Sequence, residues 1–328
     1  MNLPNMNLPN MNLLRHREDV RTLIWVAITH VLCFGGFFLF PVMPGWCVGI
    51  WVVAACWFAF LTAVITHNTV HYPIFRSRRL NKAFQVVLTL GYGSPVSAFV
   101  PGHNLSHHTH TQSRRDVMRT TKMRFSWNLL NQMFGALVLG RDIFFADMSY
   151  AMAMRAERPR WFRQWVLEWT VFLAVQLVLL MINPIAYVFM QFIPHIAAAT
   201  GIIGINFLQH DGCDPDSEWN HTRNLVGAWI NWWAFNNGYH TVHHMKPWLH
   251  WTMLPQAHAE FVQPHIHPNL NEPDILAYLW RSCIWPGKRV DYLGNPLVLP
   301  EKAPDESWLP GRAETPANVS MGAEADPA

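Results

Sequence analysis

Four long apolar runs, arranged as two pairs, dominate the hydrophobic pattern of the chain. Thr22–Phe40 contains no Asp, Glu, Lys or Arg; Pro41, Pro44 and Gly45 break it, and Trp46–Thr66 is a second uncharged run. At ~1.5 Å per residue, about 20 residues cross the ~30 Å hydrocarbon core of a bilayer. The pair therefore predicts a helical hairpin turned at 41–45. Trp165–Ile182 and Ile185–Leu208 predict a second hairpin, turned at Asn183-Pro184.

The pattern changes between the hairpins. Phe84–Val100 is apolar but carries two Gly and two Ser. It predicts either a re-entrant or interfacial helix or one buried under a polar domain. Residues 113–163 are basic and Met-rich with aromatic interruptions, a composition suited to amphipathic helices on a lipid surface. The expected organisation is all-α. One membrane domain at 22–300 contains spans near 22–40, 46–66, 165–182 and 185–208. Disordered segments flank it at 1–21, which opens on an MNLPN repeat, and at 301–328, which is rich in Pro, Ala and Glu.

Composition agrees with this pattern. The chain is 51% hydrophobic and 14% charged, against about 25% charged in an average soluble domain. A net charge of +3 implies no general affinity for nucleic acid. The five Cys form no CxxC pair, so neither a disulfide framework nor a Cys-ligated metal site is expected. None of the 24 Lys and Arg lies in either hairpin turn. By the positive-inside rule both termini and the polar segments are expected in the cytoplasm, in a multi-pass integral membrane protein.

The candidate chemistry is histidine. His67 and His71 stand in HNTVH, His103, His107 and His108 in HNLSHH, and His240, His243 and His244 in HTVHH. Residues three or four apart share one helix face, and imidazole is the commonest biological metal ligand. His210 ends the last predicted span, and Asn206 precedes it by one helical turn. Nine His exceed what one tetrahedral zinc uses and suffice for two metals with four or five ligands each. A non-enzymatic His-rich membrane protein that binds or transports metal is the alternative of another class. It would place ligands within broken helices, whereas these clusters fall at helix ends. HExxH is absent, which argues against an intramembrane zinc protease.

The three boxes, their order, the two intervening hairpins and the NFLQH segment ending at His210 resemble the membrane fatty acid desaturase superfamily. Among its members, HTRN followed by FNNGYHTVHH is most similar to bacterial acyl desaturases. The resemblance implies four transmembrane helices under a cytosolic helical cap and two irons held by the nine His. It also implies oxygen-dependent attack on an unactivated C–H bond of an acyl lipid or acyl thioester, at a bacterial inner membrane. The second box departs from the common HxxHH. No HPGG-type cytochrome b5 segment is present, so electrons are expected from a separate ferredoxin or cytochrome b5-like donor. Hydroxylases and carotenoid ketolases belong to the same superfamily and remain alternatives.

Other residues carry smaller expectations. Asn206 is expected to hold a metal-bound water or to fix the His210 tautomer. Asp211, Asp214 and Asp216 are expected in a solvated loop or as acceptors for ligand imidazoles. His110 and His221 are expected at interfaces near the boxes, and His250, His258, His265 and His267 on the surface of the cap. His30 and His195 are expected as packed helix contacts, and Glu168 near the membrane interface. Trp229, Trp232 and Trp233 are expected in an interfacial belt or along an acyl tunnel. Asn236, Asn237 and Gly238 are expected to form the turn and N-cap of the third box.

Overall fold

The computed structural model describes residues 13–309. The MNLPN repeat, up to residue 12, and residues 310–328 lie outside the described residues. The long helices are α1 (Asp19–Val42), α2 (Gly45–His71), α3 (Arg78–Tyr92), α4 (Val96–His110), α5 (Asn128–Glu157), α6 (Pro159–Ile182) and α7 (Pro184–His210). Short helices α8 (Ala228–Trp233), α9 (His240–Met245) and α10 (Ile275–Ile284) follow. The only sheet among the described residues is a two-residue parallel pairing of Asn224–Leu225 with Asn271–Glu272.

Both hairpins form, turned at Met43–Pro44 and at Asn183, whose side chain accepts from Ala186 N at 3.0 Å. Five helices are long and apolar enough to cross a membrane: α1, α2, α5, α6 and α7. The pair α3 and α4, bent by 82°, adds a sixth if it counts as one broken span. Helix α5 is the departure from the sequence reading. Where the sequence predicts amphipathic helices across 113–163, residues Asn128–Glu157 form one continuous helix of 30 residues. Ile50, Val53, Leu177 and Met181 stand exposed on the hairpins, as lipid-facing side chains do.

The two hairpins meet along α2 and α7. Helix α2 presents Ala55, Ala59 and Ala63 at four-residue spacing, and all are fully buried. Helix α7 answers with Ala198 and Ile202 at the same spacing. Small residues let helices approach closely where no hydrophobic force drives them together. Four residues at a time, the α2 stripe continues into His67 and His71, and the α7 stripe into Asn206 and His210. The packing seam of the hairpins therefore ends in candidate metal ligands.

The bend between α3 and α4 rests on Gly93, whose φ of +90° caps α3. Glu168 does not extend to the protein surface. It is fully buried, accepting from Ser97 N and Gln164 Nε2 at 2.7 Å each. It thereby satisfies an otherwise orphaned N–H in the first turn of α4. Helix α1 starts at Asp19 rather than near Thr22, because that buried carboxylate accepts from Thr22 Oγ1 and Trp251 Nε1 at 3.1 Å each. Of the flanks expected to be unstructured, 13–21 and 301–309 are described and pack on this body. Leu14 bridges to Phe75, Asp305 accepts from Lys122 Nζ at 2.6 Å, and Trp308 is buried against Tyr150.

Candidate metal centre

Four elements deliver the histidines. The C-terminal turns of α2 and α7 supply His67, His71 and His210, and α9 supplies His240, His243 and His244. The second box lies on a π-helical stretch, Val100–His107, within α4. A π-turn closes residue i onto i+5. His103 and His108, five apart, consequently bring their Nε2 atoms to 3.1 Å. The π-turn absorbs the extra residue by which HNLSHH exceeds HxxHH.

The nine imidazoles form two groups, with ligand atoms in each within 4.8 Å of one another: His67, His71, His103, His108 and His243, and His107, His210, His240 and His244. The second and third boxes are each divided between the groups. The stacked rings of His108 and His244, 4.2 Å apart, stand where the groups meet.

The nitrogen contacts test whether a cation fits. In the four-His group, Nε2 of His210 lies 3.1 Å from that of His107 and 2.9 Å from that of His240, which is 3.2 Å from that of His244. In the five-His group, Nε2 of His243 lies 2.8 Å from that of His67 and 3.1 Å from that of His108. A ring nitrogen carries one proton or one lone pair, so such converging nitrogens cannot all satisfy one another. A cation in each group takes every lone pair. Metal–imidazole bonds of about 2.0–2.1 Å at right angles give nitrogen separations of about 3 Å, the spacing seen here. The donor set fits a metal in each group.

The surroundings fix the ligands. His107 Nδ1 lies 2.9 Å from Asp116 Oδ2, with both side chains fully buried. A carboxylate there holds the proton on Nδ1 and leaves the Nε2 lone pair facing the group. Burial pushes the Asp116 carboxyl up, but His107 and the N–H groups of Gln112 and Met118 outweigh it and hold it below its ordinary value. The HTRN segment is scaffolding. Arg223 Nη1 donates to the carbonyls of Leu208 and Asp211 at 3.0 and 2.9 Å, capping the end of α7. Asn224 Oδ1 accepts from Thr241 N at 2.9 Å, holding the first turn of α9.

Burial, reinforced by neighbouring imidazoles, lowers the pKa of His240, His243 and His244, that of His243 to about 3. The folded site refuses protons that the unfolded chain accepts. Metal-free protein is therefore expected to have its full stability above the ordinary value of 6.5 and to lose it progressively as pH falls below that. Thermal unfolding midpoints in detergent check this, and a midpoint that rises on acidification contradicts it.

The sequence profile of the family described as fatty acid desaturase matches residues 41–270, more than half of the chain. The chain belongs to the fatty acid desaturase family. No curated protein matches it. The matched stretch of this desaturase-family chain contains all nine His and Asn206.

Other site expectations divide. Asn206 is buried one turn before His210, and its side chain makes no hydrogen bond among the described residues. Asp211 serves Arg289, which donates Nε at 3.0 and 3.1 Å, and no ligand imidazole. Asp214 and Asp216 sit in the loop after α7. The His221 ring is 5.8 Å from that of His244. His250 and His258 are buried, not on the surface: His250 lies between Asp19 and the stacked His16 ring. Phe235 and Asn236, at φ of 51° and 56°, make the turn before the third box. The N-cap of α9 is Tyr239 with no side-chain bond, and Asn237 instead reaches Asn68 Oδ1 at 2.9 Å beside His67. Sequence reasoning missed Asp116. Its only signal is a lone carboxylate nine residues after His107, in a basic loop.

Proposed function

We propose that this protein is an oxygen-dependent di-iron fatty acyl desaturase, with five His on one iron and four on the other. The observation that carries the reading is the division of nine imidazoles into two converging groups in a member of this family. Two irons with open positions supply activation of dioxygen for removal of hydrogen from an unactivated C–H bond. The overall change balances as R–CH2–CH2–R′ + O2 + 2 electrons + 2 protons giving R–CH=CH–R′ + 2 H2O. The electrons come from a separate carrier, ferredoxin or cytochrome b5-like. The acyl chain comes from a membrane lipid or an acyl thioester.

The chain's own residues hold and orient. Asp116 keeps the proton of His107 on Nδ1. Arg223 and Asn224 keep α7 and α9 in register so that His210 and His240 converge. Asn206 carries an amide one turn from His210, placed to hold a water in the four-His group. Hydroxylation or ketolation by the same centre begins with the same hydrogen removal, and a substrate shift of ~1 Å is enough to change the outcome. Lipid analysis of expressing cells decides: a new double bond is expected, and a new hydroxyl or keto group without one overturns the desaturase reading. Unchanged lipids, with the protein loaded with zinc or copper, favour the non-enzymatic alternative.

We further propose four crossings, α1, α2, α6 and α7, with both termini and the His groups in the cytoplasm and α5 along the membrane surface. Two observations support this. Neither hairpin turn contains Lys or Arg, and Asp142 within α5 pairs with Lys122 at 2.8 Å. A Cys placed at Gly45 or Asn183 is expected to react with an impermeant reagent from outside, and one at Ser113 is not. External labelling at Ser113 contradicts this topology.

A further inference from the structure

A cavity of about 270 Å³ lies among α4, α5, α6 and α7 and reaches His103. Phe99, Ile143, Phe144 and Ile203 give it apolar walls, Gly140 and Ala199 give it room, and no Lys or Arg lines it. Besides His103 and Tyr92, two more ionisable side chains line this space, Asp147 and His195. Such groups are costly within a membrane protein and mark function by default.

His195 is 9% exposed, and its Nε2 lies 3.2 Å from the carbonyl oxygen of Leu90. A carbonyl only accepts, so Nε2 carries the ring proton and Nδ1 keeps a lone pair. No polar group among the described residues meets that lone pair. The ring is also fixed in place. Gly93 packs so tightly against it that any side chain at this position would collide with the imidazole. Asp147 is 3% exposed and accepts the indole N–H of Trp165 on its two oxygens at 3.1 and 3.0 Å. A carboxylate offers about four acceptor positions, so acceptor capacity remains. The cavity thus has a metal-ligating imidazole at one end and unmet acceptors elsewhere.

We propose that the cavity binds an apolar chain whose end remote from the reacting carbon bears a hydroxyl, received by His195 Nδ1 with Asp147 beside it. From His103 to the bend at Gly93 the backbone advances roughly 14 Å, room for on the order of ten chain carbons. The placement of the reacting carbon near His103 rests on the di-iron reading; the recognition of the hydroxyl does not. A methyl-ended chain leaves the imidazole lone pair unpaired in apolar surroundings, which lowers affinity by about tenfold relative to a chain that donates to it.

The test uses full-length, metal-free protein in nanodiscs with a bound spin-labelled fatty acid. ω-Hydroxyhexadecanoate is expected to displace the label at about tenfold lower concentration than hexadecanoate. His195→Leu, which removes the lone pair that only the hydroxyl can satisfy, is expected to abolish that advantage and bring the two chains to similar displacing concentrations. Ala199→Phe, which fills the cavity, is expected to weaken both chains. Equal displacement by the two chains, an advantage that survives His195→Leu, or no displaceable binding each overturns the proposal. Failure of the di-iron reading is separate, because it is read from metal content.

Discussion

Replacing His210 with alanine is expected to remove one iron of two and to abolish turnover, while the protein still inserts into the membrane. His210 belongs to none of the three boxes, yet its Nε2 stands between those of His107 and His240. Its loss leaves three imidazoles in that group, whereas the five around His243 keep their full set. His71→Ala is expected to do the converse, depleting the five-His group. Substitutions at outer partners of metal ligands typically cost ~10–100-fold in affinity or activity, and removing a ligand is expected to exceed that. Asn206→Ala is expected to keep more iron than His210→Ala and to lose activity within that ~10–100-fold range. Iron per chain and turnover on the three purified variants check this. His210→Ala protein with full iron and unchanged turnover removes the residue from the site.

Asp116→Asn is expected to weaken the same iron about 10–100-fold without touching the five-His group. The carboxylate accepts three hydrogen bonds, from His107 Nδ1, Gln112 N and Met118 N, at 2.8–2.9 Å. An amide turns one acceptor into a donor, so an N–H faces another N–H in a fully buried position. His107 is then free to put its proton on Nε2, the nitrogen the metal needs. Release of iron to a chelator, followed over time, is expected to become faster and biphasic, with one iron leaving early. A single slow phase like that of the unsubstituted protein counts against the role of Asp116.

Much of the site was legible because helix periodicity is local. Four-residue spacing is enough to place His67 with His71 and Asn206 with His210, and turn residues mark both hairpins. The division of the second and third boxes between two groups was not legible. It depends on the π-turn at Val100–His107, which nothing in HNLSHH announces, and on how α4 and α9 approach the ends of α2 and α7. Asp116 and Arg223 were hidden for the same reason. Their partners are set by loops folding back on helices, and a charged residue in a basic or polar loop reads as solvated. Glu168 and His250 were misplaced because position along an element was taken for exposure, whereas each is buried against a distant segment that needed an acceptor or a stacked ring. The continuous helix α5 was missed because its scattered charges, among them Arg141, Asp142 and Asp147, interrupt its apolar run.

The central claim is a pair of irons held by these nine imidazoles. Its most direct test is the metal content of the purified full-length protein after iron-supplemented expression, with activity measured on the same sample with and without oxygen. Two irons per chain, and turnover that requires both oxygen and an external reductant, are the predicted result. A fully active protein holding one metal per chain or stoichiometric zinc, or turnover that persists under strict anaerobiosis, would contradict the account.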